Sequence, residues 1–179
     1  GLNTNGQLGQ SNISTFSSPI QLPGTTWCKV VSGDNFLLAL KTDCTLWSWG
    51  ENAAGQLGVS DKVHRSSPVQ IPGTCWCDIN AGSDAALAIK TDNTLWAWGN
   101  NVLGQLGQSD VAHRSSPVQI PGTTWCRACT LETVSMAIKT DNTLWAWGNN
   151  NTGQLGLNDK VHRSSPVQVP GTNWYNFYP

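Results

Sequence analysis

Apolar and polar residues alternate along this chain in short runs separated by turn-forming residues. In ALAIKTDNTLWAWG, Ala86–Lys90 and Leu95–Trp98 are two apolar runs on either side of a polar turn at Thr91–Thr94, the pattern of a β-hairpin. Successive strand side chains point to opposite faces, so Leu95 and Ala97 share one face and Trp96 and Trp98 the other. Both faces are apolar, which predicts a strand covered on both sides. SSPVQIPGT reads as a short extended piece whose prolines suit edges and turns. The Trp-Cys segment after it begins a further strand. The count is about four short strands per group, and no stretch sustains a helical period.

The group recurs at a fixed interval. Gly-Gln-Leu-Gly starts at Gly6, Gly55, Gly104 and Gly153, Pro-Gly-Thr at Pro23, Pro72, Pro121 and Pro170, and Lys-Thr-Asp at Lys41, Lys90 and Lys139, always 49 residues apart. This divides a single repeat domain, residues 1–179, into units 1–49, 50–98 and 99–147 and a truncated unit 148–179, or about 3.7 units of a class of repeat that includes propeller blades. The fold class predicted is all-β, a propeller-type array of four-stranded blades. A β-solenoid is the alternative, although its coils are usually shorter. Both ends fall inside a unit and leave strand edges open. The array is therefore expected to be part of a longer closed propeller, of a ring of several copies, or of a filament. The closing WYNFYP departs from the repeat after Trp174 and suits a cap.

Composition narrows the picture. Ten tryptophans against two tyrosines and three phenylalanines suggest a core carried by indoles, each able to bury roughly 150–250 Å². The expected scaffold core is Trp47, Trp49, Trp96, Trp98, Trp145 and Trp147, with Leu57, Leu106 and Leu155 plugging it from the Gly-Gln-Leu-Gly phrase. That phrase lacks the helix and the lysine of a phosphate loop, so it reads as scaffold. A net charge of −1 gives no footprint for nucleic acid. No apolar run is long enough for membrane insertion. Catalytic residues, cofactor-binding residues and metal ligands are not recognisable: there is no nucleophile elbow and no paired carboxylate frame, and Glu51 and Glu132 are the only glutamates.

LWAWGNNNTGQLG, followed by SSPVQVPG and Trp174, resembles the regulator of chromosome condensation repeat, over essentially the whole chain. The resemblance implies a β-propeller, often with about seven four-stranded blades. Members of that family include an exchange factor for a small nuclear GTPase that also binds chromatin, a bacterial enzyme inhibitor, and many binding or surface modules. Several residues depart from the family pattern. Phe36, Ala85 and Val134 stand where a histidine is frequent, and Leu131 replaces the glycine found at Gly33 and Gly82. The hairpin turns on Asp43-Cys44, Asp92-Asn93 and Asp141-Asn142 rather than Asp-Gly; asparagine tolerates a left-handed backbone and cysteine does so poorly. The uniform spacing leaves no projecting loop, so exchange-factor activity is the lowest-ranked alternative.

Two sets of residues are candidates for more than scaffolding. His64-Arg65, His113-Arg114 and His162-Arg163 occupy equivalent positions on successive units. They would form a cationic, partner-binding arc along one rim, or else hold their own loops by bonding carbonyls; a metal site from three histidines on separate blades is disfavoured by distance. The six cysteines are expected to be buried free thiols, ahead of a disulfide or a metal site. Residues 28–37, 77–86 and 126–135 drift between units while the Trp-Gly and Ser-Ser-Pro blocks barely change; varied positions on a constant frame are where a partner can be read, and drift without selection predicts the same pattern. The reading is a non-enzymatic scaffold, protein-binding or structural, with a protein partner or self-assembly and no cofactor. The alternative is a surface or fibre adhesin contacting glycans through rim aromatics. An extracellular, cell-surface or virion location is favoured over a cytoplasmic one.

Overall fold

A computed structural model describes residues 1–176. Within them the chain forms strands β1 (Trp27–Ser32), β2 (Phe36–Lys41), β3 (Leu46–Gly50), β4 (Arg65–Gln70), β5 (Trp76–Ala81), β6 (Ala85–Lys90), β7 (Leu95–Gly99), β8 (Arg114–Gln119), β9 (Trp125–Thr130), β10 (Val134–Lys139), β11 (Leu144–Gly148) and β12 (Arg163–Gln168). They make three four-stranded antiparallel sheets, β1-β2-β3-β4, β5-β6-β7-β8 and β9-β10-β11-β12. These are propeller blades, one per 49-residue interval. The three blades stack side by side, with β5 lying between β1 and β9.

The hairpin read from the sequence is β6–β7, with Ala88 opposite Trp96 and Leu87 opposite Ala97. Its turn closes because Asn93 N–H reaches the Lys90 carbonyl at 2.9 Å with Asn93 left-handed at φ 62°. The same turn closes on Cys44 (φ 63°) and Asn142 (φ 62°). Asp92 Oδ1 accepts the Thr94 N–H and hydroxyl, and the Thr94 Oγ1 in turn accepts the Trp96 indole N–H at 2.9 Å. Those threonine bonds hold the carboxyls of Asp43, Asp92 and Asp141 below the usual range.

The core lies between blades. Phe36, Leu38, Leu40, Leu46, Leu57 and Ile71 of the first blade pack against Trp76, Ile79, Ala86, Ala88 and Trp98 of the second. Ala85, Leu87, Ile89, Leu95, Leu106 and Ile120 repeat the arrangement against Trp125, Ala137 and Trp147. Alternation along each central strand thus supplies two dry faces, one for each neighbour. The Gly-Gln-Leu-Gly loops at Gly55 and Gly104 bridge to the next blade. Trp98 donates its indole N–H to Gln56 O at 2.9 Å, and Trp147 to Gln105 O at 2.8 Å. The loop needs glycine at Gly55, where φ is +87° and a Cβ would lie 2.6 Å from Ser115 Cα.

The tryptophans split into three environments. Trp49, Trp76, Trp98, Trp125 and Trp147 are buried. Trp27, Trp47, Trp96 and Trp145 are half-buried, so of the six tryptophans expected in the core Trp49, Trp98 and Trp147 lie in it and Trp47, Trp96 and Trp145 lie at its edge. The outer ring of each pair caps the blade instead, edge-on to the inner one, with a lysine over it: Lys90 Nζ lies 4.4 Å from Trp96 and 4.7 Å from Trp76. Trp174 is 39% exposed. Of the suggested cap, Phe177–Pro179 lie outside the described residues.

Among the described residues no blade lies against the outer face of β1. Ile79 is 3% exposed, whereas Val30, its equivalent on β1, is 60% exposed. Leu8 and Leu22 of the leading segment cover part of that face, leaving a cleft of about 310 Å³ against Trp27, Leu37 and Trp49. Truncating Leu106, fully buried between the second and third blades, to alanine is expected to cost about 2–5 kcal/mol in urea unfolding. Val30→Ala, on the open face, should stay within about 0.5 kcal/mol of wild type. Equal losses at the two positions would contradict this division of the core.

Candidate functional site

Each His-Arg pair is held inside its own loop. Asn101 is fully buried. Its Nδ2 donates to the carbonyls of Asp110 and Ala112 and to Asp110 Oδ1 at 3.0–3.1 Å, and its Oδ1 accepts the Leu106 N–H at 2.9 Å. The Asn101 backbone N–H donates to His113 Nδ1 at 2.9 Å. Arg114 closes the loop with an ion pair to Asp110 and a bond to Ala112 O. Asn52 with His64, Arg65 and Asp61 repeats this network, as does Asn150 with His162, Arg163 and Asp159. Each guanidinium therefore faces its own carboxylate, and each Nδ1 is already used as an acceptor. The six residues are brought together in pairs within loops rather than as an unpaired cationic arc. Bonds from the backbone N–H groups of Val63, Ala112 and Val161, with the arginines second among the favourable causes, hold Asp61, Asp110 and Asp159 below the ordinary carboxylate range.

The drifting windows converge elsewhere. They form the inner strands β1, β5 and β9 and the turns that follow them. Ser32, Gly33, Asp34, Ala81, Gly82, Ser83, Thr130, Leu131 and Glu132 line one shallow, open mouth of about 390 Å³ shared by all three blades. Close stacking of the turns builds this mouth: Asp34 N–H donates to Ser83 O at 3.2 Å, and a Cβ on Gly82 would meet Leu131 O at 1.9 Å. Glycine is required where another turn lies on top. Among the described residues no turn lies above Leu131, which is 54% exposed.

The mouth is acidic. Asp34 and Glu132 are exposed on it, and Asp84 sits behind with its Oδ1 accepting Gln56 Nε2 at 3.1 Å. Burial pushes the Asp84 carboxyl above its usual range, and the charges of Glu51 and Asp34 add to this. Along the inner strands, Lys29 pairs with Asp78 across the first junction. Sequence reasoning identified the windows but not their convergence. The signal was the unit-to-unit variation; the missing information was which strand is innermost.

The cysteines differ from expectation. Cys28, Cys75, Cys77 and Cys126 are exposed and Cys44 and Cys129 half-buried, all as free thiols. Cys28, Cys77 and Cys126 fall at the register irregularity that opens β1, β5 and β9, a bulge that turns each thiol outward while the tryptophan before it packs inward. The Sγ atoms of Cys28, Cys77 and Cys126 donate to Leu40, Ile89 and Ile138 carbonyls. Among the described residues, no group of three or more His, Cys, Asp or Glu could hold a metal ion, and no helix is long and apolar enough to cross a membrane.

Stacked four-stranded blades with a Trp-Gly frame define a β-propeller repeat protein. The sequence profile for the Regulator of chromosome condensation (RCC1) repeat matches residues 44–89, 92–130 and 141–176, and a second profile of the same description matches 27–56 and 76–105. The chain belongs to this family. Its fold is similar to that of human WBSCR16, with TM-score 0.80 and 23% identity over 94% of this chain and 46% of that one. It is also similar to yeast RCC1 (Prp20) in a structure with Kap60 bound, with TM-score 0.83 and 22% identity over 96% and 44%. A structure of Prp20p from Saccharomyces cerevisiae, described with its binding properties to Gsp1p and histones, matches with TM-score 0.73 and 22% identity over 82% and 39%. The chain thus spans less than half the length of these proteins. No curated protein sequence matches it.

Asn101→Ala would leave the buried Leu106 N–H without an acceptor, at an expected cost of about 1–3 kcal/mol in chemical denaturation. The depressed carboxyls of Asp61, Asp110 and Asp159 contribute stability above the unfolded-state pKa that is lost as pH falls through their folded values. Replacing all three with asparagine should therefore flatten the acid limb of the melting curve against pH. Asp84 has the opposite sign. Its raised folded pKa means stability is lost as pH rises through it, so Asp84→Asn, which keeps an acceptor for Gln56, should melt higher than wild type at pH 7 and no higher at pH 3.

Proposed function

We propose that this chain is a non-catalytic scaffold that binds a protein partner at the acidic mouth formed by the three inner turns. One observation carries the reading: the turns of the three drifting windows meet at this single surface. A repeated frame satisfies its own packing, so residues that change from blade to blade on a shared mouth are free to specify a partner. Asp34, Glu132 and the exposed Leu131 suit a partner segment that presents basic and apolar side chains together. The His-Arg loops suit this role less well, because their charges are already paired.

Glycan contact through rim aromatics is a weaker reading on the same geometry. The half-buried rings that a sugar would stack on are occupied: Lys139 Nζ stands 4.2 Å from the Trp145 centroid and Lys41 Nζ 4.2 Å from Trp47. The exchange-factor role is not extended to this chain.

The test is affinity capture from cells of the source organism, with quantitative mass spectrometry, comparing wild type with Asp34→Lys/Glu132→Lys and with Arg65→Ala/Arg114→Ala. A protein enriched by wild type should be retained at least tenfold less by the charge-reversed mouth, and should remain bound to the arginine variant if that variant melts normally. Retention insensitive to the mouth and lost with the arginines would move the docking face to the loops.

A further inference from the structure

The junction between the first two blades differs from the next one at two facing positions. At every junction a left-handed turn residue offers its carbonyl to the N–H of the following tryptophan: Cys44 O to Trp76 N at 3.2 Å, Asn93 O to Trp125 N at 3.0 Å, and Asn142 O to Trp174 N at 3.1 Å. The residue before each of those tryptophans is left-handed as well, at φ 63° for Cys75, 75° for Thr124 and 72° for Asn173. The facing pairs are therefore Cys44 with Cys75, Asn93 with Thr124, and Asn142 with Asn173. Two positions 31 residues apart in the chain carry cysteine together at one junction and at neither position of the others. Both cysteines occupy a backbone conformation that suits asparagine and strains cysteine, so neither gains from being cysteine alone.

The remaining cysteines do not share this pattern. Cys77 belongs to a set that recurs as Cys28 and Cys126, and each of the three has its Sγ on the carbonyl of its own neighbouring strand. Cys126 keeps that position although the turn facing it carries Asn93. Burial also pushes the Cys77 thiol up, with Cys44 among its electrostatic neighbours. Cys129 lies on β9 in the third blade. At the first junction a single hydrogen bond separates the two backbones, the regime a disulfide spans with about 4.4–6.8 Å between Cα atoms. Both thiols are reachable: Cys75 is exposed and Cys44 half-buried.

We propose that Cys44 and Cys75 are a disulfide-forming pair that fastens the first blade to the second. The chemistry is thiol–disulfide exchange with a small-molecule disulfide such as oxidised glutathione. The Cys75 thiolate attacks one sulfur of the reagent, giving a mixed disulfide and releasing one glutathione, which takes up a proton. The Cys44 thiolate then attacks the protein-bound sulfur and expels the second glutathione. Two cysteine thiols are oxidised and one disulfide is reduced to two thiols, so electrons and protons balance. An oxidising compartment, of the kind favoured from the sequence, would keep the staple closed.

The test is to incubate the folded chain with oxidised glutathione, alkylate the remaining thiols, digest with trypsin without reduction and read the linked peptides by mass spectrometry. The peptide containing Cys44 should appear joined to the one containing Cys75 and Cys77. That link should persist in Cys77→Ser and vanish in Cys75→Thr and Cys44→Asn, which install the residues found at the other junctions and so keep the fold. Oxidised wild type should melt higher than reduced wild type by about 5–10 °C, with no such difference in the Cys44→Asn/Cys75→Thr chain. Alkylated or glutathione-capped Cys44 and Cys75 after oxidation, or a link that survives Cys75→Thr, would overturn the assignment.

Discussion

The fold depends on one contact repeated along the array, the carbonyl of a Gly-Gln-Leu-Gly loop accepting the indole N–H of the second tryptophan of the blade that follows the loop. Gln7 O, Gln56 O and Gln105 O meet Trp49, Trp98 and Trp147 at 2.8–2.9 Å. Burying an indole leaves a polar N–H to be satisfied in a dry place, and the Gly-Gln-Leu-Gly loop supplies both the acceptor and the apolar plug. A blade alone would expose both faces of its central strands. With a neighbour on each side, Ala97 and Trp98 find cover in opposite directions. Loop, tryptophan and period are therefore a single constraint: a change in spacing would move the carbonyl away from the indole it serves.

The inner indoles are a counterexample within the same frame. The Nε1 atoms of Trp27, Trp76 and Trp125 are buried with no hydrogen-bond partner. Each of these rings packs edge-on against the outer tryptophan of its blade and carries the ammonium of Lys41, Lys90 or Lys139 at 4.7–4.8 Å. An unmade bond costs about 1–3 kcal/mol, and a cation over a ring returns about 0.5–2 kcal/mol. The lysine, invariant among the three full units, offsets part of what the arrangement loses. Sequence reasoning could register the repetition of Lys-Thr-Asp but not this purpose, because the lysine and its rings come from three different strands.

Much of the fold was legible because each unit writes its own instructions. The β6–β7 hairpin was readable from Ala86–Lys90 and Leu95–Trp98, since alternation and turn chemistry are local. Blade-to-blade packing followed from a strand apolar on both faces. The candidate site was legible only in part. His64-Arg65 and its equivalents look cationic in sequence, and their partners Asp61, Asp110 and Asp159 lie four residues upstream, near enough to pair but unreadable without the loop conformation set by Asn52, Asn101 and Asn150. The exposure of Cys28, Cys77 and Cys126 turned on the register irregularity that opens β1, β5 and β9, which composition does not encode: the tryptophan before each cysteine packs inward and the cysteine itself is turned out.

Leu131 links the scaffold to the proposed site. At Gly33 and Gly82 a Cβ would lie 2.5 Å from Gly82 O and 1.9 Å from Leu131 O, so the turn of the following blade rests directly on the glycine. At the third such position the side chain is leucine, and a fourth turn stacked in the same way would place its carbonyl oxygen inside that side chain's contact distance. The stacking seen at Gly33 and Gly82 therefore does not repeat at Leu131, although Val134, Ile138, Leu144 and Leu155 occupy the positions whose equivalents pack against a following blade in the first two blades. A single departure from the repeat thus separates two surfaces that would otherwise be covered together: an apolar sheet face suited to more of the same architecture, and an exposed leucine beside Glu132 at the acidic mouth. On this geometry the residue that breaks the pattern of glycines gives the mouth its one large apolar side chain.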